Sequence, residues 1–505
     1  MSVINRIVWV CTVIWGASIF WIAQRPPLID LPQHAAQIAL ISDVLGGQTR
    51  WAEIFTINFA TPYLTTYALG WLLSFVFPTV TAVKIILTGA FVGFVLLVVA
   101  LRKTFGSDPR LDWLALSGFF GFAWKWGFMS FLVAAPIGLL LIWLLLQYLE
   151  QRKPILGLLF TTLGLLLLIS HGLIFAFAWT VSVALCGLTI YKKGNWFAVL
   201  WPMVLCTLVC ILYLLIVTYI QFGLSSGADS YGITIWTLNP INRIKELFAY
   251  SFDNQFSNQY LAITAVLLLC PLLLKNQLNF KNVLCFVPVA IALFIYCFAP
   301  AFALKTAFLY QRFALFFLPA WAFVFIAGAS LKHSSVRSKL ACAVLALCTW
   351  WPIYNHTVEA VRFDKESADF EIILAALEPN KRALYLSIDN YSPADGHQNI
   401  YLHYGSWYQA DKKGYVDFNF AWFPPQMLRF KTDNETEIRP GFEFQPKTFD
   451  WNAHKGDRYA YFIFRSEDTL DTRDYFRGAP CAPELFVKKG VWSVYQTVTC
   501  KHARP

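Results

Sequence analysis

Two ionisable side chains stand four residues apart in the stretch Arg25-Pro26-Pro27-Leu28-Ile29-Asp30-Leu31-Pro32-Gln33-His34: the carboxylate of Asp30 and the imidazole of His34. Three prolines pin the backbone around them. The stretch follows an apolar run directly, so the pair sits where a membrane helix meets water. An ionisable group there costs free energy unless it is used or satisfied. Asp30 is therefore a candidate general base that draws a proton from a hydroxyl, with His34 as its catalytic partner. The plainer alternative is that Asp30 caps a helix starting near Gln33. A second set of groups is cationic. Arg312, Lys305 and Lys125 lie at the ends of apolar runs, a depth that suits a phosphate or pyrophosphate headgroup, and a guanidinium binds such oxygens as a fork. Snorkelling to lipid phosphate is the alternative for the lysines. His171, after Ser170, either bonds a neighbouring helix or joins the phosphate contacts. Tyr63, Tyr310, Trp407 and Trp422 are candidate acceptor- or sugar-binding rings, because an aromatic face suits the apolar C–H face of a sugar. The rings of 401–424, where both tryptophans lie, could equally form a domain core or dock that domain on the membrane.

The elements that must position these groups are membrane spans. The 505 residues are 57% hydrophobic and 14% charged, with a mean hydropathy of +0.53. Runs of about 20 apolar residues recur, the length that crosses roughly 30 Å of hydrocarbon. The net charge of +10 is spread over short loops, which sets orientation and forms no nucleic-acid patch. Arg6, Arg102-Lys103 with Arg110, Arg152-Lys153, Lys192-Lys193, Lys275 with Lys281, and Lys332 to Lys339 are assigned to the cytoplasm. Two apolar runs, 63–77 and 79–101, precede Arg102. If both crossed, Arg102-Lys103 would lie outside, so 63–77 is placed in or near the outer interface. Spans then follow at 7–23, 79–101, 111–124, 128–149, 154–170, 172–190, 196–220, 260–274, 282–300, 307–331 and 338–354. The N-terminus is inside. The first run lacks a small-residue cleavage site and reads as a retained anchor.

The fold class expected is an α-helical polytopic membrane protein of about eleven spans with a small extracytoplasmic α/β or α+β domain. The domains are 1–354 and 355–505. The first outer loop, 24–62, carries an apolar stripe over 33–45 and a second short element at 51–59, read as helices on the membrane surface. In the tail, 357–377 reads as a helix, and 383–388, 459–464 and 492–499 as strands. Nine of the eleven cysteines lie in the apolar part and act as small hydrophobes. Cys481 and Cys500 can pair if the tail faces an oxidising compartment.

This order of parts resembles the GT-C superfamily of integral-membrane glycosyltransferases. Relatives include the protein O-mannosyltransferases, the oligosaccharyltransferase catalytic subunits and the transferases that add aminoarabinose to lipid A. Asp30-Leu31-Pro32-Gln33-His34 resembles the acidic first-loop motif of that group. Pro62-Tyr63-Leu64-Thr65-Thr66-Tyr67 resembles its following Pro-x-x-Tyr element, with a span ending in Arg-Lys next. The resemblance covers the architecture of about 1–354 and this one short motif. It implies an inverting transfer of a sugar from a polyprenyl-phosphate carrier to a lipid, glycan or protein acceptor, in a bacterial inner membrane, on the periplasmic side. Asp30 would be the base and Arg312 a carrier-phosphate ligand. No cofactor is demanded. Many members pair two acids in this loop; here His34 holds the near position, and a divalent metal would need Asp43 or Glu53. No zinc-site spacing occurs, nor a Gly-rich phosphate loop for a nucleotide sugar. The alternatives are a transporter or flippase, which requires ionisable residues inside spans and internal repeats, and an O-antigen-type polymerase or ligase, for which the 221–258 loop would serve. A structural scaffold whose work is done by the tail is a further one.

Overall fold

The computed structural model describes residues 3–47, 50–224, 234–237, 239–303, 306–328, 336–396, 398–431, 434–469 and 471–499. The chain divides into two compact units. One comprises 1–20 and 87–357, the other 21–86 and 358–505. Residues 21–86, grouped by composition with the spans, thus pack with the tail.

The first unit is helical. Among the described residues, five helices of the chain are long and apolar enough to cross a membrane: Val3–Ile22, Thr79–Phe105, Met129–Gln151, Gly172–Lys192 and Trp196–Tyr219. Shorter apolar helices cover Pro154–Ser170, Asn258–Leu273 and Val283–Phe298. Expected segment 111–124 is not one helix. It breaks into a 3-10 turn, Pro109–Asp112, and two five-residue helices, Trp113–Ser117 and Phe122–Trp126. The break falls at two glycines against foreign backbone. A Cβ on Gly118 would lie 2.7 Å from the Leu315 carbonyl oxygen, and one on Gly121 would lie 2.4 Å from that of Tyr250. Expected segment 307–331 is likewise reduced to a ten-residue helix, Ala314–Phe323. Arg102 and Arg110, read as loop charges, are buried: Arg102 pairs with Asp112 at 2.8 Å and Arg110 with Asp108 at 2.5 Å.

The second unit is mixed. A five-stranded sheet has the order Glu484–Lys489, Trp492–Gln496, Tyr461–Arg465, Arg382–Ser387, Tyr415–Asp417. Arg382–Ser387 runs parallel to both its neighbours, and the remaining pairs are antiparallel. The two central strands are almost wholly buried, as a run of Tyr, Phe, Ile and Leu without alternation requires. The expected tail helix is the end of one 41-residue helix, Val336–Ala376. Cys481 is disulfide-bonded; Cys500, the expected partner, lies outside the described residues.

From the first loop come the helices Leu31–Leu45 and Leu64–Ser74 and a strand, Phe55–Ile57, antiparallel to Leu428–Phe430. Leu64–Ser74 has 11 residues, about half of what a crossing needs. The helix Leu31–Leu45 differs from its expected role. A surface helix leaves its polar face wet, yet here Gln33, His34 and Gln37 are buried along with the apolar stripe.

Candidate active site

Asp30 is the residue before the first turn of Leu31–Leu45. Pro32 fits that turn because it lacks the N–H that a helix start leaves unpaired. Asp30 has helical backbone angles, and its side chain makes no capping hydrogen bond, so the capping alternative is not how the carboxylate is used. Its Oδ1 lies 3.5 Å from Nε2 of His403, with the two side chains 14% and 5% exposed. Burial, then the neighbouring His34, pulls the His403 imidazole down to about 3. His403 is therefore neutral near pH 7, and this contact joins a carboxylate to an uncharged ring.

One helical turn on, His34 Nδ1 lies 2.8 Å from the Tyr67 hydroxyl, which itself donates to Gln426 Oε1. A phenol has one proton. With that proton on the amide oxygen, Tyr67 accepts from His34, so Nδ1 carries the imidazole hydrogen. Burial first, then Tyr63 and the Asp30 carboxylate, hold the Tyr67 phenol well above its ordinary value. It stays protonated, and Asp30 is close enough to act on it. The Phe420 ring stands edge-on to both imidazoles, with centroids 5.9 Å from His34 and 5.2 Å from His403.

Amides fix the helix that carries Asp30 and His34. Gln33 Nε2 donates to the Phe418 carbonyl at 2.8 Å, and its Oε1 accepts from the Phe420 N–H at 3.1 Å. Gln37 donates to Asn419 Oδ1 at 2.8 Å. Gln409 donates to the Ala36 carbonyl at 3.0 Å. Each contact joins the first loop to the tail.

The same unit holds a cavity of about 530 Å³, lined by Gln24, Arg25, Ser74, Thr79, Lys84 and Asp411 among others. Arg25 is paired with Glu371 at 2.5 Å and Asp411 at 2.6 Å. Lys84 gives one of its donors to the Ala23 carbonyl at 2.8 Å. Asp30 is not among the lining residues. Sequence reasoning missed Lys84, although a lone lysine inside the apolar run 79–101 is a signal in itself. His403 was legible only as a hydrogen-bonding group among the rings of 401–424, and Gln426 not at all; no local pattern ties residues 403 and 426 to residues 30 and 67.

The other expected site residues divide between the units. In the second unit Tyr63 precedes Leu64–Ser74 and is half-buried. Trp407 is fully buried, with the Arg25 guanidinium 4.9 Å from its ring centre. It is a core residue and offers no face to a sugar. Trp422 donates to the Ile438 carbonyl at 2.9 Å and packs on the core beneath the sheet. Asp43 pairs with Lys413 at 3.5 Å and Glu53 is exposed. Among the described residues no group of three His, Cys, Asp or Glu is placed to hold a metal.

In the first unit Arg312 donates to the carbonyls of Phe308 and Ala307 at 3.2 and 3.0 Å. Its guanidinium lies 3.7 Å from the Phe128 ring centre. His171 occupies an extended break between Pro154–Ser170 and Gly172–Lys193, edge-on to Phe131 at 5.4 Å. It is within electrostatic range of Arg312, so these two expected phosphate ligands share a neighbourhood. Lys125 is 1% exposed, which rules out a snorkelling head. Tyr310 is buried; its hydroxyl donates to Glu246 at 2.8 Å, and Arg243 covers its face at 4.0 Å. That ring, too, is occupied by protein. Lys305 lies outside the described residues.

An array of apolar helices, an acid just past the first of them and a small mixed sheet from the tail make up a fold that this chain shares with solved structures. The chain is similar over nearly its whole length to ArnT from Cupriavidus metallidurans. With the structure bound to undecaprenyl phosphate it shares 10% identity and a TM-score of 0.55, covering 97% of this chain and 98% of that one. With the apo structure the values are 9%, 0.56, 96% and 97%. The arabinofuranosyltransferase AftD from Mycobacteria gives 13% and 0.50, with 99% of this chain lying on 40% of AftD. No family model matches the sequence, and no curated protein does.

Proposed function

We propose that the protein is a glycosyltransferase that moves a sugar from a polyprenyl-phosphate carrier to an acceptor hydroxyl outside the cytoplasm, with Asp30 as general base. The observation that carries this reading is the setting of Asp30: a carboxylate mostly enclosed yet 14% exposed, resting on an imidazole rather than capping its helix. Such a group can meet a hydroxyl and take its proton. In the step, the acceptor oxygen attacks the anomeric carbon from the face opposite the carrier. The bond from that carbon to the phosphate oxygen breaks, its electron pair leaves on the phosphate, and the hydroxyl proton passes to Asp30. Configuration at the anomeric carbon is inverted.

The departing phosphate gains charge, which nearby cations stabilise. Lys84, with Arg25 in the same cavity, is one candidate for that work. The bound undecaprenyl phosphate of the ArnT structure supports a lipid-phosphate carrier. The distribution of Lys and Arg supports an N-terminus in the cytoplasm and a tail in the periplasm, in a bacterial inner membrane. The acceptor class is a lipid, glycan or protein hydroxyl.

The test is Asp30→Asn in the full-length protein, assayed with a radiolabelled polyprenyl-phosphate sugar. Transfer should fall by about 10²–10⁴-fold, with expression and thermal unfolding unchanged. Lys84→Met in the same assay should raise KM for the carrier. Transfer within tenfold of wild type by Asp30→Asn would remove the base, and with it this reading.

A further inference from the structure

We infer that His403, supplied by the tail, is a positioning residue that donates its Nε2–H to the Asp30 carboxylate and holds it ready to receive a proton. This rests on Asp30 being the base. His403 is 4% exposed and enclosed by aromatic rings, with Phe418 at 6.1 Å and Phe420 at 5.2 Å. The ring has little freedom to turn. A neutral imidazole carries one hydrogen, and an ionised carboxylate only accepts. With Nε2 facing Oδ1, that hydrogen belongs on Nε2, because a lone pair there would meet another. Burial, then His34, keeps the ring uncharged, so it orients the acid without forming an ion pair that would quench it. The present 3.5 Å is a resting distance of the kind that shortens when substrate excludes water. The titratable groups around Asp30 are His403 from the tail, His34 on its own helix, and Tyr63 and Tyr67 from the following element.

The consequence is that the tail supplies part of the transfer site. Its polypeptide would be required for turnover even where the acceptor is small.

The experiment is a pH profile of kcat/KM for the full-length protein in nanodiscs. His403→Phe keeps a ring and removes the N–H; His403→Gln keeps a donor. Without the donor, the charged form of Asp30 loses a hydrogen bond that favours it. His403→Phe should lower kcat about tenfold or more with KM for the carrier nearly constant, and move the acid limb up by about one pH unit. His403→Gln should restore the limb. A histidine that only fills space would leave the limb in place, and that result overturns the inference. If the Phe variant fails to fold, His403→Met reads the same limb. Asp30→Asn is run in parallel. An active Asp30→Asn overturns the base; an inactive one beside an unmoved limb overturns only the positioning role.

Discussion

Removing one oxygen atom tests whether His34, Tyr67 and Gln426 form a hydrogen-bonded chain. Tyr67 is fully enclosed, and His34 and Gln426 are 5% and 4% exposed. Its hydroxyl accepts from His34 and donates to Gln426. In Tyr67→Phe the Nδ1–H and the amide oxygen both lose their partner inside the protein. A buried group left unpaired costs about 1–3 kcal/mol, so the variant should be destabilised by about 2–4 kcal/mol once partial relaxation is allowed for. The assay is SDS or thermal unfolding of detergent-solubilised protein, followed by tryptophan fluorescence. Gln426→Leu alone should also destabilise. The double variant should cost less than the two singles together by about 1 kcal/mol or more, because each change removes an orphan that the other creates. Strict additivity, or a Tyr67→Phe cost under about 0.5 kcal/mol, would refute the chain and the His34 tautomer deduced from it.

Two further outcomes rest on buried charge. His403 has its imidazole pulled down to about 3 from an ordinary value near 6.5. The unfolded chain therefore binds more protons below about pH 6.5, so the contribution is present above that pH and is lost as pH falls toward 3. The loss approaches about 1.4 kcal/mol per pH unit. Between pH 6.5 and 5, His403→Phe should flatten the fall in unfolding free energy by up to about 2 kcal/mol; an unchanged slope refutes the assignment. Asp108 and Arg110 form an ion pair with side chains 0% and 3% exposed. Asp108→Ala should cost about 3–5 kcal/mol by stranding the guanidinium, and Asp108→Leu combined with Arg110→Met should recover most of it. A mild single variant in the same unfolding assay would show that solvent reaches the pair.

The spans were legible because apolar runs of helical length have few other uses, and the acid past the first span because its neighbours are prolines and apolar residues. Less could be read where backbone touches backbone. The run 111–124 is apolar enough to be a span, but Gly118 and Gly121 serve contacts with carbonyls more than a hundred residues away, and composition carries no trace of that. Charge pairing was hidden for a related reason. Arg102 and Arg110 count as loop cations by the positive-inside rule, yet Asp112 and Asp108 lie within ten residues of them and bury both. A count of basic residues sees orientation and misses the neutral pair. The aromatic run 401–424 left sugar binding and core packing open in the sequence, and Trp407 shows why: a tryptophan ring can take an arginine as readily as a sugar.

The same logic explains how one loop comes to hold Asp30 in place. The carboxylate does not cap its own helix. What fixes it lies one turn and two turns downstream. Gln33 bonds both the carbonyl of Phe418 and the N–H of Phe420, as a strand neighbour would, and Gln37 reaches Asn419 between them. Two amides four residues apart engage three consecutive tail residues, so a shift of the helix by one residue would break every bond at once. Phe420, held by Gln33 through its N–H, places its ring against both His34 and His403. The polar positions that made this helix look like a surface element are thus the ones that set its register. The acid, its imidazole neighbour and the tail residue facing them are aligned by side chains whose only chemistry is hydrogen bonding.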